Sequence, residues 1–309
     1  MEKTYSPLYQ LDPEVEEALN HQKAVVALES TVITHGLPFP QNLQLARQME
    51  AEVRAAGAVP ATVAVLGGKV KVGLSAGELD EIGDLRIPAR KVSRRDYGIA
   101  LARGEKGGTT VAGTLIAAAA VGIKVFATGG IGGVHRNAPF DISADLPELS
   151  RSPVVVVCAG AKSILDLPAT VEYLETMGIP TIGYQTSDFP AFYSRHSGLP
   201  VTTRSDHPAD VAMIAHKHWQ FGLSSAVLVV VPPPAESALD QSEIEAVIQQ
   251  ALRDAAAQNI HGAAATPFLL SRVSELSGGA SLQANLALLL NNARIAGQVA
   301  AAYQQVLTG

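Results

Sequence analysis

Two charged residues directly follow apolar runs of the sequence, Glu29 after VVAL and Lys162 after VVVVCAGA. A carboxyl group buried beside a core keeps its proton more readily, so Glu29 is a candidate general acid. A lysine delivered from a dry strand end holds its proton weakly, and its amine can attack a sugar carbonyl as a Schiff-base nucleophile. Plainer interpretations remain open: a capping or hydrogen-bonding carboxylate for Glu29, and a surface lysine that begins a helix for Lys162.

Two glycine-rich turns could bring backbone close to a ligand. GGTTVAGTL leads into a predicted helix whose first free amides could bind a phosphate, helped by the hydroxyls of Thr109 and Thr110, although an ordinary helix cap explains the same residues. The second turn, TGGIGGVHR, indicates backbone that approaches either a ligand or another strand. It is followed by His135, and a lone histidine is more often structural than catalytic.

The segment FDISADLPEL contains two aspartates, Asp141 and Asp145, with Ser143 between them. Carboxylate oxygens suit hard divalent cations, so one aspartate could bind magnesium or manganese. Asp145 followed by Glu148 is equally typical of a helix capping box.

The segment ARKVSRRD is the one locally basic stretch of the sequence, and Lys91 lies within it. Its cationic side chains could clamp a phosphate, or they could form a solvated face.

The elements that must position these residues follow from the alternation of short apolar runs with alanine-rich segments. This pattern predicts an α/β fold: one domain over residues 1–309, with a mainly parallel central sheet, helices on both faces and a carboxy-terminal helical part. The predicted strands are Ala24–Leu28, Thr62–Leu66, Lys124–Thr128, Val154–Cys158, Thr181–Tyr184 and Ala226–Val231. The predicted helices are Asn42–Ala56, Thr110–Ala120, Ala169–Met177, Ala209–Phe221, Ser242–Asn259 and Leu282–Gln305, with a loop containing Thr266 and Pro267 between the last two. Ligands of such sheets bind beyond the carboxyl ends of the strands, where Glu29 and Lys162 are expected.

Composition narrows the class of partner. The chain has 309 residues, a formal net charge of -6 and no block of Lys and Arg, which argues against a nucleic-acid polymer or an anionic membrane as partner. The single cysteine, Cys158, excludes an intrachain disulfide and favours a reducing compartment. The amino-terminal segment has no apolar core of the kind a signal peptide needs. We therefore expect a cytoplasmic protein that acts on a small molecule.

Taken together, several long strings resemble the pseudouridine-5′-phosphate glycosidase family, whose members include proteins encoded beside indigoidine biosynthesis genes. The resemblance covers nearly the whole chain. The strings are ALESTVITHGLPFPQN, VPATVAVLGG, KVSRRD, TTVAGTLIAAAAVGIKVFATGGIGGVHR, FDISADLPEL, VCAGAKSILDL, GYQTSDFPAF and TPFLLSRVSELSGGASLQANLALLLNNA.

The resemblance implies a role for each candidate residue. It makes Glu29 the proton donor, Lys162 the nucleophile that forms an imine with C1′ of ribose, and Asp141 the ligand of one Mn²⁺ per subunit, with Mg²⁺ as a possible substitute. It implies substrate contacts at Lys91, Thr110, Val111, His135, Ser143, Ala144, Asp145 and Asn285. Within this resemblance, the loop from His135 to Asp141, HRNAPFD, looks shorter than in members of the family, so the surroundings of the ion are the part of the site that the resemblance defines least.

The implied activity is reversible cleavage of the C-glycosidic bond of pseudouridine 5′-phosphate to uracil and ribose 5-phosphate, by a homotrimer and in the direction of pseudouridine degradation. The bond joins two carbons, so protonating a leaving nitrogen cannot release the base, and an imine at Lys162 offers another route. The usual glycosidase with two carboxylates needs no lysine. Two alternatives stay open: another Schiff-base lyase that acts on a phosphorylated sugar, and a phosphosugar-binding protein without catalysis.

Overall fold

A computed structural model describes residues 5–136, 138–260, 262 and 265–308, with the Pro139 side chain excepted. Asn137, inside the HRNAPFD segment, lies outside the described residues.

The described chain contains a central run of parallel strands. These strands are β2 (Val25–Leu28), β3 (Val59–Leu66), β7 (Val125–Ala127), β10 (Val155–Cys158), β12 (Thr181–Tyr184), β13 (Thr203–Ser205) and β14 (Val227–Val230). They lie side by side in the order β3-β2-β7-β10-β14-β12-β13. The predicted parallel sheet is confirmed, and its apolar strands are buried because elements cover both faces.

One side of the sheet carries a short extension that the apolar pattern did not predict. Its strands are β1 (Tyr9–Leu11), β4 (Lys69–Val72), β5 (Arg90–Val92) and β6 (Gly107–Thr109). A separate small sheet contains β8 (Val134–His135), β9 (Ala138–Ile142) and β11 (Leu165–Asp166). β3 runs beyond the parallel region and pairs antiparallel with β4 and β6, while β5 pairs parallel with β6. The extension thereby places Lys91, in β5, next to β6, which leads into the helix that begins at Val111.

The prediction that Gly107–Thr109 belongs to a turn is wrong, because these residues form β6. Gly107 and Gly108 allow β6 to pack closely against its neighbours, and they do not reverse the direction of the chain. A Cβ on Gly107 would lie 2.6 Å from Cγ2 of Val92, and one on Gly108 would lie 2.2 Å from Oγ1 of Thr34. Only a strand without side chains at these positions fits between its neighbours.

Helices surround the sheet. They are α1 (Pro13–Asn20), α2 (Gln41–Ala55), α3 (Ala76–Gly83), α4 (Tyr97–Arg103), α5 (Val111–Val121), α6 (Asp145–Leu149), α7 (Leu167–Thr176), α8 (Pro208–Gln220), α9 (Gln241–Ala257), α10 (Ala265–Leu276) and α11 (Ala280–Thr308). The six predicted helices correspond to α2, α5, α7, α8, α9 and α11, with bounds that shift by a few residues. None of the helices in the described part of the chain has the length and apolarity required to span a bilayer. A single domain over residues 1–309 stays a prediction.

The predicted loop around Thr266 and Pro267 is wrong, because both residues belong to the first turn of α10. A proline is tolerated there since the first amides of a helix have no partner within the helix, and its fixed φ suits helical backbone. α10 packs against α9 and α11 and so completes the carboxy-terminal helical part.

The long helix α11 packs across β2, β7 and β10 and against α2 and α8. Gly297 allows the closest approach to α2, because a Cβ at this position would lie 2.5 Å from Cβ of Ala56 and 3.2 Å from the carbonyl oxygen of Val53. α11 is therefore seated in a groove that has no room for another methyl group.

We expect Gly297→Ala to lower the free energy of unfolding by about 1–3 kcal/mol, because the added methyl group must push the two helices apart. Gly98→Ala, in the exposed helix α4, is the control, since a Cβ there meets nothing within 4 Å. Higher helix propensity should make that variant as stable as the parent or more stable by up to about 1 kcal/mol. Urea denaturation measures both, and equal effects would contradict the packing argument.

Candidate active site

A cavity of about 1640 Å³ opens at the carboxyl ends of β2, β7 and β10. All of the residues singled out from the sequence line it: Glu29, Lys91, Thr110, Val111, His135, Asp141, Ser143, Ala144, Asp145, Lys162 and Asn285. They come from segments spread between the first strand of the parallel run and the last helix. The structure therefore brings every candidate to one site, while the roles assigned to them stay predictions.

Glu29 directly follows β2 and is 8% exposed. Its carboxyl group accepts a hydrogen bond from the hydroxyl of Thr128, which follows β7, and it caps no helix. Burial raises the pKa of Glu29, and the charge of Asp145 acts in the same direction. Lys162 and the Thr128 hydrogen bond oppose this rise without cancelling it. The carboxyl group can therefore hold a proton at higher pH than an ordinary glutamate.

Lys162 lies in the turn between β10 and β11, half-buried in the cavity wall. Its amide donates to the carbonyl oxygen of Ile131 (3.1 Å), and its own carbonyl oxygen accepts from the amide of Leu165 (3.0 Å). The interpretation of Lys162 as the start of a helix is wrong, because α7 begins only at Leu167. Hydrogen bonds thus fix the backbone of Lys162. The charge of the Lys162 amine interacts with that of Glu29.

The first turn of α5 offers one amide to a ligand. Thr110 is the helix cap, as the plainer interpretation had it, and its hydroxyl accepts from the amide of Gly113 (3.2 Å). The amide of Ala112 donates to Oδ1 of Asp145 (2.9 Å). Among the described residues, the amide of Val111 donates to no other group. A phosphate oxygen at the helix start would therefore meet this amide and the favourable end of the helix dipole.

Asp145 joins three segments of the site. Its Oδ1 accepts from Ala112 in α5, and its Oδ2 accepts from the amide of Gly132 in the glycine-rich turn (2.8 Å). Gly132 has no room for a side chain, because a Cβ would lie 2.1 Å from Oγ of Ser143. The capping-box interpretation is wrong: the Asp145 side chain does not cap α6, and the Glu148 carboxylate accepts from Arg94 instead.

The basic stretch is largely neutralised by neighbouring acids. Arg90 pairs with Glu105, and Arg94 pairs with Glu148. Lys91 instead faces the cavity, half-buried, and burial lowers its pKa, with Lys162 acting in the same direction. Asp145 and Glu29 partly offset that change. Lys91 is therefore the member of the stretch best placed to meet an anionic ligand inside the cavity.

Asp141 is the candidate metal ligand and lies exposed on β9 at the cavity wall. Within the described ranges, no cluster of three or more His, Cys, Asp or Glu side chains is arranged to hold a metal ion. A single carboxylate fits a hydrated Mg²⁺ or Mn²⁺ ion, which can take its remaining ligands from water and from phosphate groups of a substrate. It does not fit an ion that needs a cage of protein ligands.

Sequence reasoning missed several residues of the cavity wall. Phe192 is buried there with a left-handed backbone (φ 64°), which costs a bulky residue about 1–3 kcal/mol. Its ring packs so closely on Gly130 that a Cβ at that glycine would lie 2.6 Å from Cε2 of Phe192. His35, in the THGLPFPQN string, also lines the cavity. No local pattern marks either residue, because each reaches the site only through tertiary packing.

The fold and the site define an α/β protein whose cavity joins a buried acid, two lysines and an open helix amino terminus. The sequence model of the family described as "Indigoidine synthase A like protein" matches residues 14–302. Pseudouridine-5′-phosphate glycosidase of Escherichia coli K12 is 53% identical over 301 residues, covering 97% of this chain and 96% of that protein. The protein of the same name from Paracoccus denitrificans is 54% identical, covering 96% and 98%.

Solved structures agree with this result. Prealnumycin C-glycosynthase AlnA in complex with ribulose 5-phosphate has a TM-score of 0.91 and 41% identity, covering 98% of this chain and 99% of that chain. An indigoidine synthase A-like protein of Thermotoga maritima has a TM-score of 0.89 and 36% identity, with the same coverage. The chain belongs to the indigoidine synthase A-like family, which confirms the resemblance found in the sequence and the predicted fold class.

We expect Asp145→Asn to lower the free energy of unfolding by about 1–3 kcal/mol. The amide group of asparagine would point its own N–H groups at one of the two backbone amides that Asp145 now accepts from. Asp141→Asn is the matched control, because Asp141 is exposed and its replacement should change stability by less than about 0.5 kcal/mol. Chemical denaturation compares the two variants, and an unaffected Asp145→Asn protein would show that the three segments do not depend on this carboxylate.

Proposed function

We propose that this protein is a pseudouridine-5′-phosphate glycosidase, which interconverts pseudouridine 5′-phosphate and water with uracil and ribose 5-phosphate. The observation that carries the proposal is the meeting of Glu29 and Lys162 in one cavity, at the ends of β2 and β10. A buried acid and an amine are the two groups needed to open a sugar ring and to capture its C1′ carbon. The curated relatives with this name support the proposal, since each aligns over nearly its whole length.

The first step in this proposal opens the ribose ring. Glu29 gives its proton to the ring oxygen, the Lys162 amine attacks C1′, and the bond between C1′ and the ring oxygen breaks. The raised pKa of Glu29 supports this role, because a group that donates a proton must hold it until the substrate has bound. The amine must be neutral when it attacks, and Glu29, once it has given its proton to the ring oxygen, is a neighbouring carboxylate that can take the proton that the nitrogen loses after it bonds to C1′.

The second step breaks the carbon-carbon bond. The lone pair of the lysine nitrogen forms the double bond to C1′ while the electrons of the bond between C1′ and the base pass to uracil, whose ring carbon takes up a proton. Water then adds to the imine and frees ribose 5-phosphate from Lys162. The buried cavity wall supports this order of events, because limited access of bulk water lets uracil take up its proton before the imine is hydrolysed.

Substrate recognition is divided along the cavity. In our proposal, the phosphate group lies at the start of α5, where the Val111 amide is open and Lys91 supplies positive charge. Ser143, Ala144 and His135 line the same cavity, and we propose that they also contact the substrate. Oδ1 of Asn285, in the wall of the same cavity, is buried without a partner among the described residues, and it could accept a hydrogen bond from an N–H group of uracil.

We further propose that Asp141 holds one manganese or magnesium ion per subunit, which supplies positive charge beside the substrate when bound.

We also propose that the protein is a cytoplasmic homotrimer that works in the direction of pseudouridine degradation. Exposed aromatic side chains such as Phe140 and Phe221 offer apolar surface that association would bury. Light scattering after size-exclusion chromatography measures the number of subunits.

The first measurement is uracil release from pseudouridine 5′-phosphate, detected by chromatography, with manganese and then with chelator. We expect uracil only when the metal is present. Absence of uracil in both conditions would contradict the proposed activity. Binding of ribose 5-phosphate without turnover would then favour the phosphosugar-binding alternative, and cleavage of another phosphorylated sugar would favour a different Schiff-base lyase.

Lys162→Ala is expected to abolish uracil release while the fold and the affinity for ribose 5-phosphate persist. Lys162→Arg is the matched control for charge, since it keeps the cation but cannot form the imine, and it should be equally inactive. Borohydride added during turnover should attach ribose 5-phosphate to Lys162 of the parent protein, as seen by mass spectrometry of peptides. Turnover by either variant would exclude the imine mechanism.

A further inference from the structure

Asn292 is a fully buried amide on α11 that faces the turn after β7. Its Nδ2 donates to the carbonyl oxygens of Thr128 (2.9 Å) and Gly129 (3.4 Å). Thr128 is also fully buried, and its hydroxyl donates to the carboxyl group of Glu29. Two successive contacts thus connect the last helix of the chain with the proposed proton donor.

The turn that carries Thr128 is held from two sides. On the side of the sheet, the amide of Thr128 donates to the carbonyl oxygen of Val157 (3.0 Å), and that of Ala159 donates to the carbonyl oxygen of Gly129 (2.8 Å). On the side of α11, a Cβ on Gly129 would lie 3.1 Å from Cδ2 of Leu289. The backbone is therefore clamped between β10 and α11, and Asn292 supplies the polar part of the contact with the helix.

Asn292 shares one face of α11 with two residues of the cavity wall. Asn285 and Leu289 line the cavity, and Asn292 follows them at the spacing that places residues on one side of a helix. The same helix would then present the Asn285 amide to the base and, further along, hold Thr128, which donates to the proposed proton donor Glu29. A shift of α11 would move both together.

We propose that Asn292 is a positioning residue that acts through Thr128, by holding the Thr128 hydroxyl against the carboxyl group of Glu29. Without the amide, the carbonyl oxygen of Thr128 loses the Asn292 donor in a site that water does not reach, whereas that of Gly129 keeps the amide of Ala159, so the turn must shift to give Thr128 another partner. The proposal rests on the role proposed above for Glu29, but its central claim concerns the protein without substrate.

The charges around Glu29 set the direction of the expected effect. Burial and Asp145 raise the pKa of Glu29, whereas Lys162, Lys91 and the Thr128 hydroxyl lower it. Because a hydrogen-bond donor stabilises the carboxylate more than the protonated acid, its loss raises the pKa further. Glu29 would then keep its proton to higher pH, and the fall of activity on the alkaline side would move in the same direction.

The experiment measures the pKa of Glu29 directly, in full-length protein without substrate. Glutamate labelled with ¹³C at its side-chain carboxyl group is followed by NMR across pH, and the signal of Glu29 is the one missing from Glu29→Gln. We expect Thr128→Val and Asn292→Leu each to raise this pKa by about one pH unit, the size expected for one lost hydrogen bond to a charged group. The double variant should show no further rise, because both changes remove the same contact.

Two controls accompany these variants. Thr128→Ser keeps the hydroxyl, and Asn291→Leu changes the neighbouring asparagine, whose Oδ1 accepts from Arg294 instead; both should leave the pKa of Glu29 unchanged. Asn292→Ser is the milder replacement if Asn292→Leu does not fold, and it should show the same upward shift. An unchanged pKa in the folded Asn292 variants, or additive shifts in the double variant, would overturn the proposal. Failure of uracil release would leave this result intact, so the two proposals fail separately.

Discussion

Burial of a carboxyl group at the carboxyl edge of the parallel sheet is the constraint on which the rest of the site depends. Glu29 lies where β2 ends, almost without exposure to water. An isolated carboxylate in such a place would be costly, so the group must either keep its proton or gain partners. The protein uses both solutions in part: the pKa is raised, while Thr128 donates to the carboxyl group and Lys162 supplies nearby positive charge. A group balanced in this way can exchange a proton with a ligand at little cost.

Glycines at the edge of the sheet make this arrangement possible. Gly130 and Gly132 lie where the backbone passes so close to Phe192 and Ser143 that no side chain would fit. The space gained allows Asp145 to reach the amides of two separate segments, which fixes the start of α5 relative to the turn after β7. Rigid backbone then replaces water around the charged groups, which is the physical basis of preorganisation in a reactive site.

The carboxy-terminal helices form part of the cavity wall and do not pack as a separate unit. α11 lies across β2, β7 and β10, and it contributes Asn285 and Leu289 to the cavity wall. Asn292, on the same helix, contacts the backbone beside the proposed proton donor. The site therefore joins residues that are more than two hundred positions apart in the sequence, and its geometry depends on helix packing such as that at Gly297.

The sequence by itself determined most strands of the parallel sheet, the main helices and, through the family resemblance, the candidate residues of the site. Apolar runs without alternation, bounded by glycine, are typical of strands buried on both faces, and a charged residue at the end of such a run is expected at the sheet edge. Only the tertiary structure decided how those residues are connected: that Gly107–Thr109 is a strand, that Thr266 and Pro267 begin a helix, and that Asp145 binds amides instead of capping α6. Thr128, Phe192 and Asn292 escaped notice for the same reason. Their local sequence is ordinary, and their partners come from distant segments, so their contacts arise only when tertiary packing brings those segments together.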